Sequence, residues 1–188
     1  KPVDIHEGLN NALLSLQSRV KGKPGRPEIQ LIKEYGSLPK VECYAGQINQ
    51  VFMNILTNAI DALEEAQGQR RRTRGERSSL LSPPACPLPW IRIRTEVGKS
   101  SSSGLSSVNQ DWVTIQIADN GLGMPQTVKE RLFDPFFTTK PVGQGTGLGL
   151  SISYQIVVEK HGGQLWCDSA PGQGTEFFIE IPIFGHGA

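Results

Sequence analysis

Cysteine is scarce in this chain of 188 residues. Cys43, Cys86 and Cys167 are odd in number and far apart. They make neither a disulfide framework nor a metal-ligand spacing, so a reducing, intracellular setting is expected. No apolar run approaches the ~20 residues that a membrane span needs, and no signal peptide is visible. An excess of charge is also missing. Nineteen basic residues stand against eighteen acidic ones, a net charge of +1, which gives no reason to expect a nucleic-acid partner or direct membrane contact. The first residue is Lys1 rather than Met, so the expectation is a cytoplasmic piece of a longer parent that could itself be membrane-anchored.

What is present fits one globular domain with a substantial core, at 37% hydrophobic and 20% charged residues. From Asp4 to Val20 apolar residues recur at Ile5, Leu9, Ala12, Leu13, Leu16 and Val20, a helical period that ends in the Gly/Pro-rich stretch Lys21 to Pro27. Strands are expected over Ile29–Tyr35 and Val41–Tyr44. A second helix is expected over Gln47–Ala66, with Ile48, Val51, Phe52, Ile55, Leu56, Ala59, Ile60 and Leu63 on one face. Residues 68 to 88, with Arg70, Arg71, Arg72, Arg74 and Arg77 and then Ser and Pro, are expected to be a flexible insertion, as is the serine-rich segment 98 to 110. Strands at Trp90–Val97 and Trp112–Ala118 flank the second insertion. A short helix near Gln126–Leu132, a helix over Gly147–His161 and strands at Gly163–Asp168 and Thr175–Ile183 complete the pattern. The order suggests an α+β fold, a two-layer sandwich with a mixed, mostly antiparallel sheet and helices on one face.

Four stretches carry chemistry. Asn54 and Asn58 lie one turn apart on one face of the long helix, where asparagine is a poor residue unless used. Their carbonyl oxygens are hard ligands suited to Mg²⁺ and their amides can donate to phosphate, although bonding to nearby backbone would also account for them. Asp119-Asn120-Gly121-Leu122-Gly123-Met124 follows a strand. Its carboxylate can accept from an exocyclic amine such as that of adenine, and its glycines permit close approach, yet a plain tight turn uses the same residues. Gly143 to Leu150 opens a helix with glycines whose amides suit an anion. It lacks the Lys-Ser/Thr ending of a Walker A loop and the βαβ surroundings of a dinucleotide fingerprint. Phe133-Asp134-Pro135-Phe136-Phe137-Thr138-Thr139-Lys140 stands between the last two, with a basic residue just ahead of the glycines.

In this order the four stretches resemble the GHKL ATP-binding superfamily, specifically the catalytic domain of sensor histidine kinases. Asn54 and Asn58 match its N box, Asp119–Met124 its G1 box, Phe133–Lys140 its F box and Gly145–Leu150 its G2 box. The resemblance covers roughly residues 28 to 184 and implies a Bergerat-type ATP-binding fold. It implies that Asp119 holds the adenine amine, that Asn58 coordinates Mg²⁺ on the triphosphate with Asn54 assisting, and that Gly121 and Gly123 shape the adenine pocket. It places Gly145, Thr146, Gly147, Leu148 and Gly149 at the phosphates, makes residues 133 to 146 a lid that begins at Phe133, and gives Lys140 a phosphate contact. Asn54, Asn58 and Lys140 are then the catalytic residues, with ATP and Mg²⁺ as cofactors. The implied partners are a histidine-bearing dimerisation domain of the same parent and the receiver domain of a response regulator. Residues 1 to 27 are read as a leading helix and linker from the dimerisation segment, and 28 to 188 as the catalytic domain. The sequence departs from the family at Asp61, where many members carry a basic residue, so Lys140 is expected to balance phosphate charge instead.

The alternative inside the superfamily is an ATPase of the chaperone, gyrase or mismatch-repair type. Those enzymes carry a glutamate general base where this chain has Asn54, and a carboxamide cannot take a proton from water at neutral pH. A non-catalytic nucleotide-binding module is the third reading. His6, 48 residues before Asn54, is read as structural, His161 as a helix cap, and the Arg cluster as solvated.

Overall fold

Isoleucine and valine on alternate positions build the sheet. In the computed structural model, which describes residues 1–76, 87–99 and 111–184, five strands run in the order β2 (Gln30–Tyr35), β4 (Trp90–Lys99), β5 (Asp111–Asp119), β7 (Thr175–Pro182), β6 (Gln164–Ser169). Ile91 and Ile93 of β4, Val113, Ile115 and Ile117 of β5, and Ile179 and Ile181 of β7 are all buried on one face. Registers pair Ile93 with Ile117 and Ile115 with Ile179, so the apolar rows of neighbouring strands coincide. Three of the four pairings are antiparallel. The β2–β4 pair is parallel, as it must be when a long helix carries the chain back across the sheet. A separate two-stranded pair joins β1 (Pro2–Val3) to β3 (Val41–Glu42).

That crossover is α3 (Ala45–Glu76). Its buried face is Ile48, Val51, Phe52, Ile55, Leu56, Ala59, Ile60 and Leu63, with Ala66 one turn on. Each fully buried large aliphatic is worth about 1.5–3 kcal/mol. The helix is longer than its apolar face. The expected insertion at 68–88 begins as three more turns, because Gln69, Arg70, Arg71, Arg72 and Arg74 are good helix formers and the Ser/Pro run starts only at Ser78. Gly98 and Lys99, the start of the second expected insertion, instead extend β4 by pairing with Trp112 and Asp111, and residues 77–86 and 100–110 lie outside the described residues.

Asp4 caps α1 (Ile5–Ser15), accepting from the amides of His6 and Glu7, and a short α2 (Gln17–Val20) follows. Ile5, Leu9, Ala12, Leu13, Leu16 and Val20 enter the same core as the sheet and α3. The core therefore does not break at residue 27. His6 stacks on Tyr35 at 4.3 Å between ring centres and its Nε2 lies 2.7 Å from Thr95 Oγ1, which ties α1 to β2 and β4.

After β5 come a short α4 (Gln126–Lys129) and then α5 (Gly149–Tyr154), which widens into a π-helical stretch, Gln155–Lys160. The expected single helix over 147–161 is thus two geometries in series. His161 ends it as expected for a cap: Nδ1 donates to the Ile156 carbonyl at 2.6 Å, and Nε2 accepts from the Tyr44 amide at 3.1 Å. No described helix is long and apolar enough to cross a membrane.

Candidate functional site

The buried stripe of α3 leaves an adjacent stripe uncovered. Met53, Asn54, Thr57, Asn58, Asp61, Ala62 and Glu65 recur at three- and four-residue spacing and form one wall of a cleft of about 910 Å³. The end of β5 and the turn after it form the floor, with Asp119, Leu122, Gly123 and Met124. Residues 137–147, without helix or strand, form the opposite wall.

The two asparagines of α3 are used differently. Asn54 Nδ2 donates to the Gly149 carbonyl at 2.9 Å and to Ser153 Oγ at 3.1 Å, fastening α3 to the first turn of α5. The Asn58 side chain, one turn on, has no protein hydrogen-bond partner among the described residues and faces the cleft half-buried. Its carbonyl oxygen is free for a ligand, which suits Mg²⁺, an ion that keeps most of its water and takes one or two protein oxygens.

Asp119 ends β5 and is 5% exposed. Burial pushes its carboxyl up to about 6, opposed by backbone amides of Gly121 and Thr175 that donate to it. The Gly121 bond is 2.8 Å. The turn is strapped to the β6–β7 connection: the Gly172 amide donates to Leu122 O at 2.6 Å and the Met124 amide to Ser169 Oγ at 2.9 Å. Gly123 has φ +71°, and a Cβ there would stand 2.0 Å from the Ala170 carbonyl oxygen. No other residue fits this turn.

In the opposite wall Gly147 has φ +68°, and a Cβ would lie 2.4 Å from the Phe136 carbonyl carbon. The start of α5 is therefore threaded directly under the backbone of residue 136, which itself has φ 64°. Lys140 crosses the cleft to pair with the Asp61 carboxylate. Asp61 also takes Arg19 Nη2 at 2.6 Å. Burial works against the Arg19 charge, but Glu64 and Asp61 more than offset it and hold the guanidinium above its usual value.

Of the expected site residues, Asn54, Asn58, Asp119, Gly123, Lys140, Gly145, Thr146, Gly147 and Gly149 line this one cleft. Three do not. Gly121 sits against Ala62, where a Cβ would be 2.9 Å from that of Ala62. Phe133 packs its ring 5.4 Å from Tyr154, and Leu148 is the cap residue of α5. The sequence reading missed Met53, Thr57, Pro125, Val128, Leu132, Thr175 and Phe177 as cleft residues. Met53 and Thr57 could have been found, since each directly precedes an asparagine at the same helical spacing.

A family model described as histidine kinase-, DNA gyrase B-, and HSP90-like ATPase matches residues 44–184, which include the whole cleft. The chain belongs to this ATPase family. Among curated relatives in the family, the sensor kinase CckA of Brucella abortus is 37% identical over 171 residues, 90% of this chain and 16% of its own length. Sporulation kinase E of Bacillus subtilis is 32% identical over 78% of this chain and 15% of its own. The chain therefore spans about one sixth of the curated relatives it matches. Among solved structures, the catalytic domain of histidine kinase ThkA superposes with a TM-score of 0.68 at 25% identity, covering 98% of this chain and 97% of that domain. The likeness extends over the leading helix, whose apolar residues share one core with the sheet and α3.

Proposed function

We propose that the chain binds Mg-ATP and transfers the γ-phosphate to a histidine on a separate dimerisation domain, as the catalytic part of a two-component sensor kinase. The observation that carries this reading is the arrangement at Asn54. Four stretches far apart in sequence meet at one cleft, and the residue that hydrolytic relatives use as a base is here an amide committed to Gly149 and Ser153. An amide donor at this place holds the start of α5. It cannot draw a proton from water, so the γ-phosphate is kept for another nucleophile.

In this reading Asp119 accepts from the adenine amine, and the amides and glycines from Gly145 to Gly149 take the phosphates at the start of α5. Asn58 offers its free oxygen to Mg²⁺, which when bound offsets phosphate charge. Lys140 adds a cation from the opposite wall, and Asn54 keeps α5 in place. Catalysis is positioning and charge compensation, with no covalent step on the protein. The partner class is supported by a solved relative: histidine kinase ThkA forms a complex with the response regulator TrrA, and a receiver domain is the corresponding partner proposed here.

The test is incubation of the chain with labelled ATP, Mg²⁺ and an added two-helix, histidine-bearing domain. Acid-labile label on that domain's histidine is expected. Release of free phosphate in excess of transfer would instead favour the ATPase reading.

A further inference from the structure

Position 61 carries a carboxylate on the wall of a cleft proposed to hold a polyphosphate, one turn from Asn58, and taken alone it would repel that ligand. It is not alone. Arg19 Nη2 holds Oδ1 at 2.6 Å, while Lys140 Nζ takes Oδ2. The pairing continues along α3. Glu64 accepts from Arg19 at 2.9 Å and from Arg26 at 2.8 Å, and Arg26 also donates to the Arg19 carbonyl at 2.8 Å. Three cations and two carboxylates leave the group with a net positive charge, and its member nearest the glycines is Lys140. A Cβ on Gly145 would stand 2.9 Å from the Lys140 Cδ, so the side chain lies directly along that loop.

Lys140 stands on a segment without regular structure, and a long flexible side chain on such a segment loses much freedom when fixed. Asp61 stands on a helix whose other face is wholly buried, and Arg19 fixes its orientation. An ammonium has three donors. One is spent on Asp61 and two remain for phosphate oxygens. We propose that Asp61, oriented by Arg19, is a positioning residue that presents Lys140 to the anionic end of the nucleotide, so that this carboxylate strengthens polyphosphate binding. The leading segment thereby enters the site through Arg19. This rests on the nucleotide reading above.

The sign of one substitution tests it. Asp61→Asn keeps shape and removes charge. If the carboxylate merely repelled phosphate, Mg-ATP would bind more tightly. The anchoring role gives the opposite, a weakening of about three- to tenfold at low salt that fades as salt screens the pairs. Lys140→Met is expected to weaken binding by a similar factor, and Asp61→Asn added to it should bring no further loss. Arg19→Gln should weaken in the same direction, and Arg19→Lys should recover part of it. Tighter binding in Asp61→Asn, or a loss that persists on the Lys140→Met background, overturns the proposal. Hydrogen exchange without nucleotide separates this from the nucleotide reading. Amides of residues 137–147 should exchange faster in Asp61→Asn than in the parent, and equal exchange overturns the anchor. Failure of the parent chain to bind Mg-ATP would defeat the nucleotide reading, leaving exchange to decide the anchor.

Discussion

Asn54 donates its side-chain amide to the carbonyl of Gly149, 2.9 Å away and 95 residues later in the chain, and so joins the crossover helix to the helix that follows the glycine loop. Asn54→Ala removes that bond and leaves the Gly149 carbonyl with Ser153 Oγ, its 2.8 Å partner. A loss of about 1–2 kcal/mol in urea unfolding is expected. Asn54→Glu should be worse, since a carboxylate would face a carbonyl oxygen, and it should not confer ATP hydrolysis. Phosphate release above that of the parent chain would show that the identity of residue 54 alone decides between kinase and ATPase.

Asp119 makes stability depend on pH in a direction opposite to that of most carboxylates. Its folded value of about 6 lies above the ordinary 3.8. The group's stabilising contribution is therefore complete below about 4 and is lost as pH rises through 6, by about 3 kcal/mol. Urea midpoints of the parent chain should carry this fall, and those of Asp119→Asn should lack it. A curve unchanged in the variant would exclude Asp119 as the source.

In the proposed nucleotide reading, the same group would set the pH dependence of binding. A donor amine favours the ionised carboxylate, so affinity should drop below pH 6 and binding near pH 6 should release protons. Calorimetry in buffers of different ionisation heat reads this directly. Asp119→Asn turns an acceptor into a donor facing the amine and should cost about 1–3 kcal/mol of binding at pH 7.

For Asn58, the expectation is a loss confined to one condition. Asn58→Ala should weaken ATP binding when Mg²⁺ is present and leave metal-free binding nearly unchanged, because the proposed metal ligand is lost and no protein bond is. Equal losses with and without the ion would assign Asn58 another task.

Self-phosphorylation of the chain is not expected. His6 is stacked on Tyr35 and bonded to Thr95, and both ring nitrogens of His161 are engaged. Label on the isolated chain that disappears in His6→Gln would overturn the structural assignment of that residue.

The strands and the buried face of α3 were legible because alternation and the 3.6-residue period are imposed by burial itself. The residues of α3 that face the core are those the pattern named. The cleft was legible only where it uses unusual residues, such as paired asparagines and clustered glycines. Phe177 and Thr175 line it as ordinary strand residues do, with nothing local to distinguish them. The length of α3 was missed because polar helix formers carry a helix past its last core contact. The ion pairs of Asp61 were invisible for another reason: Arg19 and Lys140 stand 42 and 79 residues from it in sequence, and only the fold brings them together.

The parallel β2–β4 pair has a consequence for how the cleft opens. Its connection is α3, so the wall bearing Asn54 and Asn58 cannot swing out without breaking the sheet edge it closes and exposing Phe52, Ile55 and Leu56. The wall from Phe137 to Gly147 has no such tie. Any opening of the cleft is therefore expected on the loop side. Substitutions on the helix are expected to act on how tightly a ligand is held, and those on the loop also on how fast it enters and leaves, with Lys140 bearing on both.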